Sequence, residues 1–239
     1  MTAPGQSRLV AALETTWPPA GRAVREGWTL RCGAGGGKRV SAASPAGPDA
    51  GIAVAEDAMR AWGQPPLFRV LPGEEALDEA LGARGCRIVD PTVFYAAPLC
   101  SLAAPSDETA RVFRVSTPLA LADEIWEAGG IGAGRRAVMA RAPEPKIVLL
   151  ARLGDAPAGV AFLGLDGAVA MLHAVEVLPG QRRGGAGTML TRAAATFAAE
   201  HGATWLALAV TEANRPARAL YEKLGMAQAG RYHYRILDD

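Results

Sequence analysis

The run Val177-Leu-Pro-Gly-Gln-Arg-Arg-Gly-Gly-Ala-Gly-Thr188 restricts what this chain can fold into more than any other. An apolar stretch ends at Val177, Pro179 forces the exit from a strand, and a helical pattern opens by Thr188. The first N–H groups of a helix have no intrahelical acceptor and carry the positive end of its dipole, which suits phosphate oxygens. Glycines at 184, 185 and 187 remove Cβ atoms that would hold an anion away, and Arg182 and Arg183 can add charge-assisted contacts. The run by itself predicts an anion held at the helix N-terminus by Arg182, Arg183, Gly184, Gly185, Ala186 and Gly187.

Other phosphate loops fail on spacing. No G-x-G-x-x-G occurs in this run. In Cys32-Gly-Ala-Gly-Gly-Gly-Lys38-Arg39 a cysteine replaces the first Walker glycine, and Arg39 stands where Ser or Thr must follow the lysine. Gly33–Gly37 is read instead as a flexible hairpin turn between strands Trp28–Arg31 and Lys38–Ser41.

From Arg111 onward the patterning predicts β-α-α-β-β-β-α-β-α-β. A strand at Arg111–Val115 precedes helices from Pro118 to Trp126 and from Arg135 to Arg141. An antiparallel meander follows, Ile147–Leu153, Ala158–Leu165 and Ala168–Val177, with Asp166-Gly167 as its second turn. Then come helix Thr188–His201 with Met189, Leu190, Ala193, Ala194 and Phe197 inward, buried strand Trp205–Val210, helix Arg215–Leu224 and closing strand Tyr232–Leu237. Upstream, Ile52–Trp62 reads as an amphipathic helix. Val70–Gly85 repeats the pattern of Val210–Gly225 at a constant offset of 140, and the Pro-containing Ala97–Asp107 reads as a boundary.

Two motifs together carry a resemblance. Val177-x-Pro-x-x-Arg-x-x-Gly-x-Gly187 resembles motif A of the GNAT acetyltransferases, and Asn214-x-x-Ala217-x-x-Leu-Tyr221-x-x-x-Gly225-Met226 resembles their motif B. The resemblance implies an α/β GNAT fold over residues 106–239: a mixed, mostly antiparallel sheet with helices on both faces. Residues 1–105 resemble a smaller, degenerate GNAT-like unit, with Glu74 and Leu81 at the positions of Asn214 and Tyr221. Trp17-Pro18 and Gly27-Trp28-Thr-Leu-Arg31 also resemble the start of some bacterial two-part GNAT proteins.

The resemblance further implies acetyl-CoA as co-substrate, its pyrophosphate held by the backbone from Arg182 to Thr188, and no metal. Main-chain groups near Val175 and Val177 would meet the pantetheine arm, and Asn214 would either bond the cofactor or cap its helix. Tyr221 would protonate the departing thiolate, since a phenol is a neutral donor at pH 7. The amine proton would pass to His173, to Glu176 or to water. In an ideal strand those two face opposite sides, but this superfamily often bulges here. Ribosomal-protein N-terminal acetyltransferases carry a glutamate at the position of Ala209, so the acceptor expected here is a small molecule or amino acid. Arg135 and Arg136 are open to a substrate carboxylate or to a solvated helix face. Two alternatives stay open: a non-catalytic acyl-CoA-binding or sensing module, and an acyltransferase using another acyl-CoA.

Composition excludes other classes. Twenty-five basic against 24 acidic residues leave a net charge of +1, which gives no electrostatic drive toward nucleic acid or an anionic membrane. Cys32, Cys86 and Cys100 form no CxxC pair, as expected of a reducing compartment. No uninterrupted apolar run of membrane-spanning length occurs, and the first residues lack the pattern of a secretory signal. The expectation is a cytoplasmic enzyme with a small-molecule amine partner, and a homodimer stays open.

Overall fold

A computed structural model of the protein describes residues 2–47, 51–102 and 111–238. Eight strands form one sheet in the order β4-β11-β5-β10-β9-β8-β7-β6. Its meander is β6 (Val112–Val115), β7 (Lys146–Leu153), β8 (Ala156–Asp166) and β9 (Val169–Val177), joined antiparallel. β8 and β9 pair through Asp166↔Val169, with Gly167 at φ +52° in the two-residue turn between them. β10 (Trp205–Thr211) lies parallel to β9, and every other neighbour in the sheet is antiparallel. The expected mixed, mostly antiparallel sheet is observed, and the element order of the second half matches the sequence reading.

The remaining strands come from both halves of the chain. β5 (Arg87–Pro98) runs between β10 and β11 (Ala227–Ile236), and β4 (Leu67–Val70) edges β11. The offset of 140 extends to this arrangement. Helix α4 (Glu75–Ala83) and the last helix, α8 (Arg215–Lys223), begin 140 residues apart, as do β5 and β11. Val210↔Val93 maps onto Val70↔His233, and Leu208↔Tyr95 onto Phe68↔Arg235. Two β-α-β units thus interlock about a pseudo-twofold axis near the Thr92↔Tyr232 pair. The division expected between residues 105 and 106 lies outside the described residues.

Apolar layers cover both faces. On one, α7 (Ala186–Glu200) buries Met189, Leu190, Ala193, Ala194 and Phe197 against Leu149, Leu163 and Leu172. On the other, α1 (Gln6–Thr16), α5 (Ala120–Ala128) and α6 (Ala133–Arg141) bury Leu9, Trp126 and Val138 against Phe162 and Met171. α1 crosses the sheet at Gly164, where a Cβ would lie 2.8 Å from that of Thr16. A third cluster, with Trp28, Phe68 and Leu81, packs under α3 (Ile52–Ala61).

One local expectation is corrected. Lys38–Ser41 is a one-turn helix (α2), not a strand. The hairpin partner of Trp28–Cys32 (β2) is Gly21–Arg25 (β1), because Glu26 and Gly27 at φ +41° and +81° make the two-residue turn upstream. Gly35 and Gly37, both at positive φ, then carry the chain away from the strand.

Candidate active site

β9 and β10 pair only over Val169–Leu172 and Trp205–Leu208, then part. The cause is a bulge in β9. Val160 pairs with Glu176 and Phe162 with His173, so the single residue Ala161 faces both Ala174 and Val175. Ala174 takes φ +50°, and the buried indole Nε1 of Trp126 donates to its carbonyl at 2.8 Å. The bulge swings β9 away and leaves the facing edges of Ala174–Val177 and Ala209–Thr211 without a strand partner across the gap. It also changes parity, so His173 and Glu176 lie on one face. The bulge expected there is present.

The gap opens into a cavity of 1370 Å³. Val175, Val177, Arg182, Arg183, Gly185, Ala186, Gly187, Thr188 and Asn214 line it, as do Tyr221, His173 and Glu176. At its mouth no side chain caps α7, so the first-turn N–H groups stay open. The three glycines divide their work. Gly185, at φ +93°, has open space where a Cβ would stand, as an anion cradle requires. Gly184 does not line the cavity, and a Cβ there would lie 2.6 Å from Leu153 Cδ1, so packing requires the absence of a side chain. Gly187 lines the cavity but also admits Leu220 Cδ2, 2.8 Å from its missing Cβ. Arg182 turns its guanidinium toward Glu176, at 3.6 Å.

Asn214 is the N-cap of α8, its Oδ1 accepting from Ala217 N at 3.2 Å. About two turns on, Tyr221 is 5% exposed beside Tyr95. Burial pushes its phenol up to about 12, against the opposing charge of Arg39. Burial likewise raises Glu176 above the usual carboxylate range, although Arg182 opposes it. His173 goes the other way: burial, then the charge of Arg39, hold it well below the usual imidazole value. Thr16 Oγ1 donates to Ala12 O at 2.7 Å, so the 2.8 Å contact between Thr16 Oγ1 and His173 Nε2 is a bond donated by the ring. Burial keeps the ring neutral, so its proton sits on Nε2; the ring packs on Trp17 at 4.9 Å, and Nδ1 is buried with no partner among the described residues.

Trp126 is fully buried, and His201 at the end of α7 bonds Phe197 O through Nδ1. Arg136 pairs with Glu127 and Asp123 on the surface, whereas Arg135 lines the cavity.

The first half also reaches the site. Gly33–Gly37, expected to be a flexible turn, is docked: a Cβ on Gly134 would meet Gly35 O at 2.3 Å, and one on Gly36 would meet Val138 Cγ2 at 2.6 Å. This contact aims Arg39 into the gap, where its Nη2 donates to the unpaired Ala209 O at 2.6 Å. Trp17, Arg39, Tyr232 and Tyr234 line the same cavity and were missed by sequence reasoning. The alternating Tyr232/Tyr234 pair was the one visible signal, since it puts two phenols on a single strand face. Among the described residues, no cluster of His, Cys, Asp or Glu could hold a metal, and no helix is long and apolar enough to cross a membrane.

Residues 113–226 match the acetyltransferase (GNAT) family profile. A stretch of 56 residues is 48% identical to streptothricin acetyltransferase of Streptomyces lavendulae. That stretch spans 23% of this chain and only 30% of that protein's length. Among solved structures, a GCN5-related N-acetyltransferase from Kribbella flavida superposes with a TM-score of 0.73 at 22% identity, covering 99% of this chain and 98% of that one. A tandem GNAT protein of the clavulanic acid biosynthesis pathway gives 0.61 at 18% identity, covering 99% and 89%. At these identities the structural likenesses speak to the fold.

Proposed function

Because residues 113–226 are a domain of the GNAT acetyltransferase family, we propose that the protein moves an acetyl group from acetyl-CoA to the primary amine of a small molecule or amino acid. The observation carrying this reading is that the uncapped α7 N-terminus, the strand gap and Tyr221 all border one cavity. Acetyl-CoA supplies an acyl group activated as a thioester. The backbone from Arg182 to Thr188 would hold its pyrophosphate, the free edge near Val175 and Val177 its pantetheine arm, and Asn214 would add a side-chain contact.

The acceptor nitrogen would bond the acetyl carbon as the carbon–sulfur bond breaks, both reactants being held in one ternary complex. Tyr221, protonated across the working pH range, would give its proton to the leaving sulfur and recover one from solvent. Glu176 is the better-placed acceptor for the amine proton, because burial raises its basicity. His173 is a weak base by the same physics, which leaves it a positioning and packing role. The products are an amide and the CoA thiol.

In this reading residues 106–239 are the catalytic unit. Residues 1–105 are a GNAT-like unit that completes its sheet and walls the acceptor side, and the enzyme works in the cytoplasm. Tyr221→Phe tests the chemistry. It keeps the ring and should lower kcat by on the order of 10²-fold, with acetyl-CoA affinity unchanged in calorimetry. Unchanged turnover would remove Tyr221 from the reaction, and acetyl-CoA binding with no transfer to any amine would favour a sensing module.

A further inference from the structure

Taken with the acetyl-transfer reading on which it rests, the geometry around Arg39 assigns the acceptor's class: we propose an amine that also bears a carboxylate, held by Arg39 and the Tyr232 and Tyr234 hydroxyls. Arg39 is half-buried in the gap. Of its five N–H donors, the described residues satisfy one, through Ala209 O, and no carboxylate among them pairs with it. Its charge acts at once on His173, Tyr221 and Tyr234, which puts it at the centre of the site.

The phenols of Tyr232 and Tyr234 are each 3% exposed, border the same cavity and lie against each other, and neither has another hydrogen-bond partner among the described residues. Buried polar groups without partners are rare in folded proteins and mark a place where a ligand completes the set. Here the set is a guanidinium with two hydroxyl donors, which matches a carboxylate.

The surrounding charges leave this demand unmet. Lys38 is paired with Asp90 at 2.9 Å, and Glu176 faces Arg182. The donor's phosphates would take up Arg182 and Arg183 at the other end. Arg135, with its Nε 3.4 Å from the Cβ that Gly37 lacks, adds a second cation without an ion pair among the described residues. The acceptor side is thus a positive pocket to which both halves of the chain contribute, and a polycationic amine would be repelled by it.

The test uses matched amines: an amino acid, its carboxamide, the amine lacking the carboxylate, and an aminoalkyl phosphate. Transfer is followed by thiol release, and binding of each amine to the CoA-saturated protein by calorimetry. The wild type should prefer the carboxylate over its carboxamide by roughly 10- to 100-fold in kcat/KM and in affinity, as for a charge-assisted contact. Arg39→Gln should collapse that ratio to a few-fold, mainly through KM, while Arg39→Lys should restore part of it and acetyl-CoA affinity stays as in wild type. Equal handling of carboxylate and carboxamide by the wild type, preference for the phosphate, or a ratio indifferent to Arg39→Gln would each overturn the assignment. If no amine is acetylated, the acetyl-transfer reading fails, and the calorimetric ratio still decides whether Arg39 is a carboxylate receptor.

Discussion

Glu14→Gln should destabilise this protein far more than one surface charge would. The Glu14 carboxylate receives Arg31 Nη2 at 2.6 Å and Arg69 Nη2 at 2.7 Å, and those two guanidiniums are almost wholly buried. The triad ties α1 to β2 and β4. Burial, then the charge of Arg69, bring Arg31 down from 12.5 to about 10 even with Glu14 in place. At about 1.4 kcal/mol per pH unit, keeping it charged already costs about 3 kcal/mol. Glutamine keeps an acceptor oxygen but removes the charge that offsets two buried cations, and breaking such a pair costs about 3–5 kcal/mol. Allowing for Glu14's 22% exposure, the loss should be about 3 kcal/mol, or roughly 6–12 °C in Tm for a chain of this size. Calorimetric melts across pH check the sign. Burial raises the Glu14 pKa, but Arg31 and Arg69 outweigh it and hold the folded value low. Its contribution is therefore complete above the unfolded value and fades as pH falls through the folded one, so the two proteins should converge in acid. A Glu14→Gln melt within about 1 °C of wild type at pH 7, or a gap that persists in acid, would refute this reasoning.

Three further substitutions probe the site. Glu176→Gln should abolish the acidic limb of kcat/KM, because only the ionised carboxylate accepts a proton and its pKa is raised. The same shift means that ionised Glu176 is disfavoured in the fold, so the variant should be no less stable than wild type at pH 7 in a thermal melt. Gly184→Ala collides with Leu153 and should lower Tm while leaving acetyl-CoA affinity in calorimetry intact. Gly185→Ala meets no atom but strains a φ of +93° at the cradle, so it should weaken acetyl-CoA binding with a stability loss of only about 1 kcal/mol.

What was legible in the sequence was what short-range chemistry dictates. The exit at Pro179, the periodic Met189–Phe197 face and the Asn214 cap depend on neighbours a few residues away, and all three appear as read. The bulge at Ala174 was anticipated from the family pattern, but its hydrogen bond from Trp126 joins residues 48 apart and left no local trace. The packing of Gly184 on Leu153 and of Gly187 on Leu220 left no local trace, because those partners lie about 30 residues away along the chain. Lys38–Ser41 alternated like a strand, yet the turn at Glu26-Gly27 had already supplied the hairpin. Arg39 was hidden for the same reason. Its place in the gap depends on the backbone contact of Gly35 with Gly134, about 100 residues apart, which no pattern in either segment discloses.

Acetyl transfer itself is the claim on which the rest stands. The direct measurement incubates the protein with isotopically labelled acetyl-CoA and a pool of unlabelled primary amines, including amino acids, and follows both label in amides and free CoA thiol. The account predicts a labelled N-acetyl product formed in equal amount to released thiol, with both rates falling together by about 10²-fold in Tyr221→Phe. Thiol release with no labelled amide, or neither signal despite saturating acetyl-CoA, would contradict it.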